Sequence, residues 1–284
     1  MVIPRVPFRL FCFVLLLLSC VWLAVQAVKE AKIQSLAQEA KQTYYNHALT
    51  PAPTPPSAVG GPFKEQQSFP DISDSPMEDI SALPTPTVMQ SLFVNLRQQY
   101  DNDDIVGYLK IEGTTIDYPV TCYTDNERYL HWDINKKESV AGWVFMDFEN
   151  DVTTDDYNTV IYGHNMRSEI MFHDLRYYQD KDYFNEHRYI VFDTLYEYRV
   201  YEVFAFYSTN YDFPYITVRF DTEEAFLDLV AQMKEKSWFN TGVEIGSGDR
   251  ILTLSTCTNI TEDTRFVVHA RKLAPDEIPV ELRK

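Results

Sequence analysis

The sequence predicts a mainly β domain, a closed or nearly closed barrel, that follows an apolar N-terminal segment. Eight short segments with strand-like apolar patterns alternate with polar turns, which is typical of a barrel. Aromatic residues make up 14% of the 284 residues, with 19 Tyr and 18 Phe. Such side chains pack well on pleated surfaces. The part that follows the N-terminal segments, about 200 residues, is long enough to bury a sizeable core.

The first element is an apolar run at residues 10–25, which is interrupted only by Ser19. Its length approaches the ~20 residues that span a bilayer as a helix. Arg5 and Arg9 precede it and no acid occurs before Glu30, so the N-terminal side should stay in the cytoplasm. We therefore expect residues 1–29 to be a cytoplasmic tip and an uncleaved signal-anchor of a single-pass cell-membrane protein. A signal peptide cleaved after the Val-Gln-Ala at 25–27 is the alternative.

The second element, residues 30–86, is predicted to be a juxtamembrane and proline-rich extracellular stalk. Residues 30–49 favour a short polar helix. Nine of the fifteen prolines then fall within residues 50–86. Such a stretch cannot bury enough apolar surface to fold and should be an extended, semi-rigid spacer. It would either hold the folded domain away from the membrane or act as a tether of no required length.

The folded domain is expected to begin at residue 87 with a helix over 88–100. Its apolar residues recur with the spacing of one helix face and should pack on the domain. The predicted strands then cover residues 105–111, 115–120, 142–146, 159–162, 188–192, 198–207, 250–255 and 266–273. A later helix should begin at an Asp221 N-cap, with Glu224 at the capping-box position. We expect this helix to pack on the barrel through an apolar stripe.

Three chemically important residues lie at the edges of predicted strands. Cys257 ends the run Leu-Thr-Leu-Ser-Thr-Cys at 252–257, His164 follows the strand at 159–162, and Arg265 opens the last strand. A thiol needs a nearby base or cation to become a nucleophile. An arginine can stabilise an oxyanion. The competing interpretation for each residue alone is a small buried thiol, a turn histidine and a solvated arginine.

The same residues carry a resemblance to a known family. Tyr-Gly-His-Asn-Met at 162–166, the hexapeptide at 252–257 and Arg265 together resemble a class B sortase. The resemblance covers roughly residues 104–273, with further matching stretches at 105–111, 116–119, 171–172 and 241–243. It implies an eight-stranded sortase-type barrel with an N-terminal helix and a helix between strands six and seven. Residues 87–284 would be the catalytic domain, with the second helix beside the substrate groove.

The resemblance also implies an activity. A class B sortase is a cysteine transpeptidase that cleaves a C-terminal sorting signal after Thr through a thioester acyl-enzyme. It then transfers the protein to the amine of a cell-wall peptide precursor of the lipid II type. Cys257 would be the nucleophile, His164 its proton partner and Arg265 the oxyanion-stabilising or clamping cation. The alternatives are a pilin-polymerising sortase, an exported cysteine protease and a non-catalytic peptide-binding barrel.

Six residues match positions that line the sorting-signal groove in class B enzymes. Physically, Leu130 and Ile216 would supply apolar wall, whereas Asn126 and Ser255 would hydrogen-bond the peptide backbone. The resemblance does not settle whether the signal is of the Asn-Pro or the Pro-x-Thr-Gly type. The predicted substrate-binding set is Asn126, Leu130, Tyr162, Tyr215, Ile216 and Ser255.

Composition argues against several other classes of protein. The net charge of −17 disfavours a nucleic-acid partner, because phosphate binding needs basic patches. No Cys or His pair has the spacing of a structural zinc site, and no glycine-rich phosphate loop is present. We therefore expect no metal and no cofactor. A Cys122–Cys257 disulfide is conceivable in an exported protein, but it would consume the proposed nucleophile.

The remaining polar candidates are predicted to be structural. Asp147 could orient His164 as the acid of a triad, but the family does not require a carboxylate there. His131 could approach the groove, and we favour a structural role. His269 alternates with apolar neighbours on the last strand, so it is predicted to point outward.

Overall fold

The computed structural model describes residues 8–48, 89–210, 212–257 and 264–284, with the side chains of 8–12, 47, 48 and 257 outside that description. The proline-rich part of the predicted stalk therefore lies outside the described residues. The helices are α1 (Phe8–Ala48), α2 (Ser91–Tyr100), α3 (Arg128–His131), α4 (Lys181–Glu186) and α5 (Glu223–Lys236). The strands are β1 (Ile105–Lys110), β2 (Asp117–Thr121), β3 (Phe145–Met146), β4 (Asn158–Tyr162), β5 (Tyr189–Thr194), β6 (Tyr198–Asn210), β7 (Ile251–Cys257) and β8 (Thr264–Lys272).

The eight strands close into a barrel in the order β1-β2-β3-β4-β7-β8-β6-β5. The pairs β2–β3 and β4–β7 are parallel, and the other pairs are antiparallel. The predicted fold class is confirmed, including the N-terminal helix and the helix between the sixth and seventh strands. A closed barrel leaves no unpaired sheet edge, so β7 and β8 are held on both sides.

The register at the β4–β7–β8 junction positions the strand ends. Tyr162 of β4 pairs with Ser255 of the parallel strand β7, and Cys257 of β7 pairs with Arg265 of β8. Parallel neighbours leave the sheet at the same end. The residues that follow β4, among them His164, therefore emerge beside the last residues of β7.

Two large apolar clusters and a third, small one stabilise the described part of the barrel. The largest joins residues of several barrel strands to Leu92, Phe93 and Leu96 of α2. The second lies under α5, whose buried residues pack against β6, β7 and β8. The α5 helix therefore packs on the barrel as predicted, but its N-cap is Thr222 and not Asp221. The Thr222 hydroxyl accepts a hydrogen bond from the Ala225 backbone N–H at 3.2 Å.

The strand bounds depart from expectation mainly at β3. Residues 142–146 were expected to form one strand, but only Phe145 and Met146 pair. Gly142 has a φ of 55° and turns the chain, and the Trp143 indole N–H donates to the Pro119 carbonyl at 2.9 Å. Four short helices of the described residues have no apolar periodicity that would predict them: α3, α4 and the 3-10 helices His173–Gln179 and Val280–Leu282.

The α1 helix runs without a break through the predicted boundary at residue 29. Its N-terminal part is long and apolar enough to cross a membrane, with a mean hydropathy of 1.8. Its C-terminal part lies against the barrel, where Ile33, Ala40 and Tyr44 are buried. The Tyr44 ring stacks on Tyr108 of β1 with 3.8 Å between ring centroids. Residues 33–45, predicted to belong to the stalk, thus pack on the folded domain.

Candidate active site

A cavity of about 230 Å³ lies at the end of the barrel where β4 and β7 finish. It brings His164 and Arg265 together, and four of the six predicted substrate residues also line it. The full set of lining residues is Asn126, Glu127, Leu130, Phe145, Tyr162, Gly163, His164, Ser255, Thr256 and Arg265. Glu127, Phe145 and Thr256 were not predicted, although Thr256 adjoins Cys257 in the sequence and Phe145 is the strand partner of Tyr162.

Cys257 is placed by its backbone. It is the last residue of β7 and pairs with Arg265, and the two residues before it, Ser255 and Thr256, both line the cavity. The register therefore puts the cysteine at the rim where His164 also emerges. Cys257 and the residues after β4 thus lie at neighbouring strand ends.

His164 follows β4 directly, and its ring is largely buried. Its Nε2 lies 3.0 Å from the Leu130 carbonyl oxygen. A carbonyl only accepts hydrogen bonds, so Nε2 carries the proton. Burial lowers the pKa of His164, and the nearby His131 lowers it further, although the Leu130 carbonyl acts in the opposite direction. The neutral ring then keeps its lone pair on Nδ1, the atom that can accept a proton.

Gly163 allows this placement of His164. A Cβ at residue 163 would lie 2.7 Å from Cγ of Phe172, which is fully buried. The Phe172 backbone N–H in turn donates to the His164 carbonyl at 2.9 Å. The absent side chain at 163 and the buried aromatic ring therefore fix the path of the chain through the histidine.

Arg265 brings a permanent positive charge to the cavity, since its guanidinium stays protonated in proteins. It is partly exposed, and Nη1 donates to the backbone carbonyl of Thr264 at 3.2 Å. Its position opposite Cys257 in the β7–β8 ladder puts the cation beside the thiol-bearing residue. An oxyanion that forms at Cys257 would lie close to this charge.

Asp147 holds two of the cavity residues in place. Its Oδ2 accepts a hydrogen bond from the Tyr162 hydroxyl at 2.7 Å and from Nδ2 of Asn126 at 2.9 Å. Burial and the Asp147 charge raise the pKa of Tyr162. The Asn126 amide oxygen accepts from the Phe148 backbone N–H at 3.1 Å. The carboxylate therefore orients the side of the cavity formed by Asn126 and Tyr162.

Tyr215 and Ile216 lie on the loop after β6 and do not line this cavity within the described part of the chain. The Tyr215 side chain is buried, and its hydroxyl lies 3.0 Å from the Ser255 Oγ. Ile216 is 40% exposed and lines an adjoining hollow, which shares Asn126 with the cavity. Tyr215 thus contacts the site through Ser255, whereas Ile216 borders an extension of it.

The prediction that His269 points outward is wrong. The side chain is fully buried, and burial lowers its pKa to about 3. Its ring hydrogen-bonds Thr253 and Tyr207. Apolar alternation misled here because β8 is covered on both faces, by the barrel interior and by α5, so neither side of the strand meets water.

Two other sequence candidates lie apart from the chemistry. Cys122 is a free thiol, which excludes the conceivable disulfide with Cys257. Burial and the nearby Asp147 raise the pKa of Cys122 to about 12, so it is protonated at neutral pH. His131 ends α3 with its side chain exposed.

The matching family model describes a Sortase domain and covers residues 109–273. This chain belongs to the sortase family. Its curated relatives include Sortase B of Listeria monocytogenes, 42% identical over 157 residues, and Sortase B of Staphylococcus aureus, 35% identical over 172 residues. These alignments cover 55% and 60% of this chain. The chain spans 63% of the Listeria protein's length and 70% of the staphylococcal one.

Solved structures agree with that assignment. Sortase B from Bacillus anthracis is similar with a TM-score of 0.67 and 29% identity, covering 87% of this chain and 98% of the solved one. A sortase B–substrate complex from Staphylococcus aureus is similar with a TM-score of 0.68 and 25% identity, over the same shares of the two chains. The class B resemblance is confirmed, and membership in this family of sortases supports a cysteine transpeptidase function.

Proposed function

We propose that this chain is a membrane-anchored class B sortase that transfers proteins from a C-terminal sorting signal to a cell-wall peptide amine. The observation that supports this proposal is the cavity that unites His164 and Arg265 with the end of β7, where Cys257 lies. It supplies a base, a fixed cation and a thiol-bearing strand end around one space.

In the first half-reaction, Nδ1 of His164 takes the thiol proton of Cys257. The sulfur then attacks the carbonyl carbon of the Thr in the sorting signal, and the carbonyl π electrons move to the oxygen. The Arg265 guanidinium stabilises that oxyanion. When the carbonyl re-forms, the C–N bond breaks, and the imidazolium gives its proton to the leaving amine. A thioester between Cys257 and the Thr remains.

In the second half-reaction, an amine of a lipid II-type peptide attacks the thioester carbonyl. His164 now takes the proton from the attacking nitrogen, and the thiolate of Cys257 leaves and is reprotonated. An amide bond has replaced the thioester. Splitting the exchange of one amide for another at a thioester makes each step easier than a direct exchange.

The sorting peptide would lie between α3 and the loop that follows β6. Leu130 and Ile216 would contact its apolar side chains. Asn126 has two N–H donors, of which one binds Asp147, so the second would bond a peptide carbonyl. The Ser255 hydroxyl, which Tyr215 holds, would bond the peptide backbone beside Cys257.

The membrane arrangement follows from α1. The apolar half would span the bilayer, and the positive residues before it favour a cytoplasmic N-terminus, which leaves the catalytic domain outside. Ile33 is already buried against the domain, and from Val28 to Ile33 the helix rises only about 7.5 Å. The packed part of α1 would therefore hold the domain close to the membrane surface.

Trapping the acyl-enzyme tests this proposal. The full chain in detergent micelles would be mixed with Thr-containing sorting peptides of the Asn-Pro and Pro-x-Thr-Gly types, without an amine, and weighed by intact-protein mass spectrometry. The proposal expects a thioester adduct ending at Thr on the wild type, and none on Cys257→Ala. An adduct that persists on Cys257→Ala would refute the assignment of Cys257 as the nucleophile. Cys122→Ala is the matched control and should still form the adduct.

A further inference from the structure

Four buried polar side chains, one from each of four barrel strands, form a hydrogen-bonded file. Tyr207 of β6, His269 of β8, Thr253 of β7 and Asn158 of β4 are each at most 1% exposed. The Tyr207 hydroxyl lies 2.9 Å from Nε2 of His269, and Nδ1 of His269 lies 2.8 Å from the Thr253 Oγ1. Thr253 Oγ1 also lies 2.8 Å from Oδ1 of Asn158. The chemistry proposed for the cavity uses none of these four residues.

The direction of every hydrogen bond in this file is determined. Oδ1 of Asn158 only accepts, so the Thr253 hydroxyl donates to it. That hydroxyl has one proton, so Nδ1–H of His269 must donate to Thr253. A neutral imidazole then offers a bare Nε2, to which Tyr207 donates. Each group thus fixes the orientation of the next, from Tyr207 to Asn158, and hydrogen bonds aligned in such a chain strengthen one another.

The file ends on the loop between β6 and α5. With its oxygen held by Thr253, Asn158 directs its Nδ2 at two backbone carbonyls of that loop, those of Tyr215 at 3.0 Å and Thr217 at 3.1 Å. Its backbone N–H also lies 3.4 Å from the Val218 carbonyl. The same loop places the Tyr215 hydroxyl 3.0 Å from Ser255, which lines the cavity.

We propose that Thr253, His269 and Tyr207 are positioning residues that hold the Asn158 amide in one orientation and thereby fix the loop at 212–218 against the substrate cavity. The role in substrate binding rests on the proposed function, whereas the role in holding the loop does not. Without the Thr253 donor, the Asn158 amide loses the partner that fixes which of its ends faces the loop. The loop then loses the two hydrogen bonds that its backbone carbonyls accept from the buried Asn158 amide.

Hydrogen–deuterium exchange on the full chain in detergent micelles tests whether these residues hold the loop in place. The loop amides of Tyr215 and Thr217 should exchange about tenfold faster in Thr253→Val than in the wild type, since local opening sets exchange. The matched control is Thr194→Val. Thr194 is also a fully buried strand threonine whose hydroxyl donates to a backbone carbonyl, that of Glu197, but it lies on β5, outside the file. In Thr194→Val, the loop amides of Tyr215 and Thr217 should exchange as fast as in the wild type.

A second pair of variants separates the hydrogen-bonding role of His269 from the space that its ring fills. His269→Asn keeps a donor near the position of Nδ1, so it should retain most of the loop protection, whereas His269→Leu should lose it. If exchange rises equally throughout the barrel in Thr253→Val and Thr194→Val, or if Asn and Leu at 269 behave alike, the proposal is overturned. Unchanged loop exchange in Thr253→Val also overturns it.

Kinetics test the functional half, with the peptide that gives the wild-type chain its highest turnover. Because the loop borders the binding groove and not the reacting atoms, KM should rise about fivefold in Thr253→Val while kcat stays within twofold, as expected for lost binding. A fall in kcat with unchanged KM contradicts this role. If no peptide is turned over by the wild type, the proposed function fails, and the exchange experiment alone still decides whether the file holds the loop.

Discussion

Nε2 of His164 lies 3.0 Å from the carbonyl oxygen of Leu130, and this contact determines which ring nitrogen can act as a base. The carbonyl requires a proton on Nε2, so the neutral ring has its lone pair on Nδ1. Burial lowers the pKa of the ring, which favours that neutral form. An imidazolium at His164 would therefore arise during turnover, when Nδ1 takes the thiol proton, and would not be the resting form.

The pH dependence of kcat/KM tests the state of His164. A buried histidine with a lowered pKa is neutral above that pKa and charges only as the pH falls through it. Activity should therefore be lost on an acidic limb whose midpoint lies below the ordinary histidine value near 6.5. Initial rates of the full chain between pH 4.5 and 8, measured at steps of about half a pH unit, would locate this acidic limb. An acidic limb centred well above 6.5 would contradict a neutral resting base.

Gly163→Ala should disturb the same histidine. The new Cβ would meet the buried Phe172 ring 2.7 Å away, and the strain is relieved most directly by moving the chain at 163–164. Misplacing a catalytic group by about 1 Å costs on the order of 100-fold, so we expect kcat/KM to fall at least tenfold. Gly246→Ala is the control, since nothing lies within 4 Å of its Cβ position. Equal activity of the two variants would refute the argument.

The packing of α1 on the barrel predicts a stability effect far from the cavity. The Tyr44 hydroxyl donates to the fully buried carboxylate of Asp193 at 2.8 Å. Tyr44→Phe removes one donor from a buried charge, which should lower the free energy of unfolding by about 1–3 kcal/mol.

The neighbouring Tyr45→Phe provides the control for that measurement. Its hydroxyl lies 3.3 Å and 3.5 Å from the carboxylate oxygens of Asp117, which also pairs with Lys41 at 2.6 Å. The loss here should be below about 0.5 kcal/mol. Urea unfolding of the full chain in micelles, followed by tryptophan fluorescence, measures both variants. Equal effects would indicate that α1 is not docked through Tyr44.

His269 predicts how stability changes with pH. Its pKa is about 3 in the folded chain and near 6.5 unfolded, so the unfolded chain binds more protons between these values. Stability from this group is fully present above about pH 6.5 and is lost as the pH falls toward 3.

His269→Leu has no such group, so it isolates that contribution. The variant should be less stable than the wild type at pH 7.5, because Thr253 and Tyr207 lose their partner. The gap, which is the difference in the free energy of unfolding between the wild type and the variant, should narrow by up to ~1.4 kcal/mol for each pH unit below 6.5. Urea unfolding at pH 7.5 and pH 5 measures the gap. A gap that stays constant or widens on acidification would contradict a buried neutral His269.

The barrel could be predicted from the sequence because its strands carry local signals. Apolar runs such as 251–257 and 264–272 are bounded by polar turns, and α2 and α5 show helical spacing. By contrast, α3 and the two-residue β3 have too few residues to produce a period. They are fixed by tertiary contacts such as that between the Trp143 indole and the Pro119 carbonyl.

The candidate site could be predicted for a different reason. Its three principal residues, His164, Cys257 and Arg265, lie at the ends of predicted strands and within motifs that resemble a family. What the sequence could not indicate were the roles of side chains defined only by packing. The fully buried His269, the Asp147 carboxylate that holds Tyr162, and Tyr215 reaching the site through Ser255 all depend on the burial of both faces of a strand and on distant loops meeting.

The most direct test of transpeptidation is product analysis with an added amine. The full chain in micelles would be incubated with the same sorting peptides, with and without an amine that mimics the cell-wall peptide, and the products would be identified by mass. The account predicts a peptide that ends at Thr and is joined to the amine, formed by the wild type and absent with Cys257→Ala. Cleaved peptide without an amine adduct at saturating amine would contradict it and indicate a hydrolase.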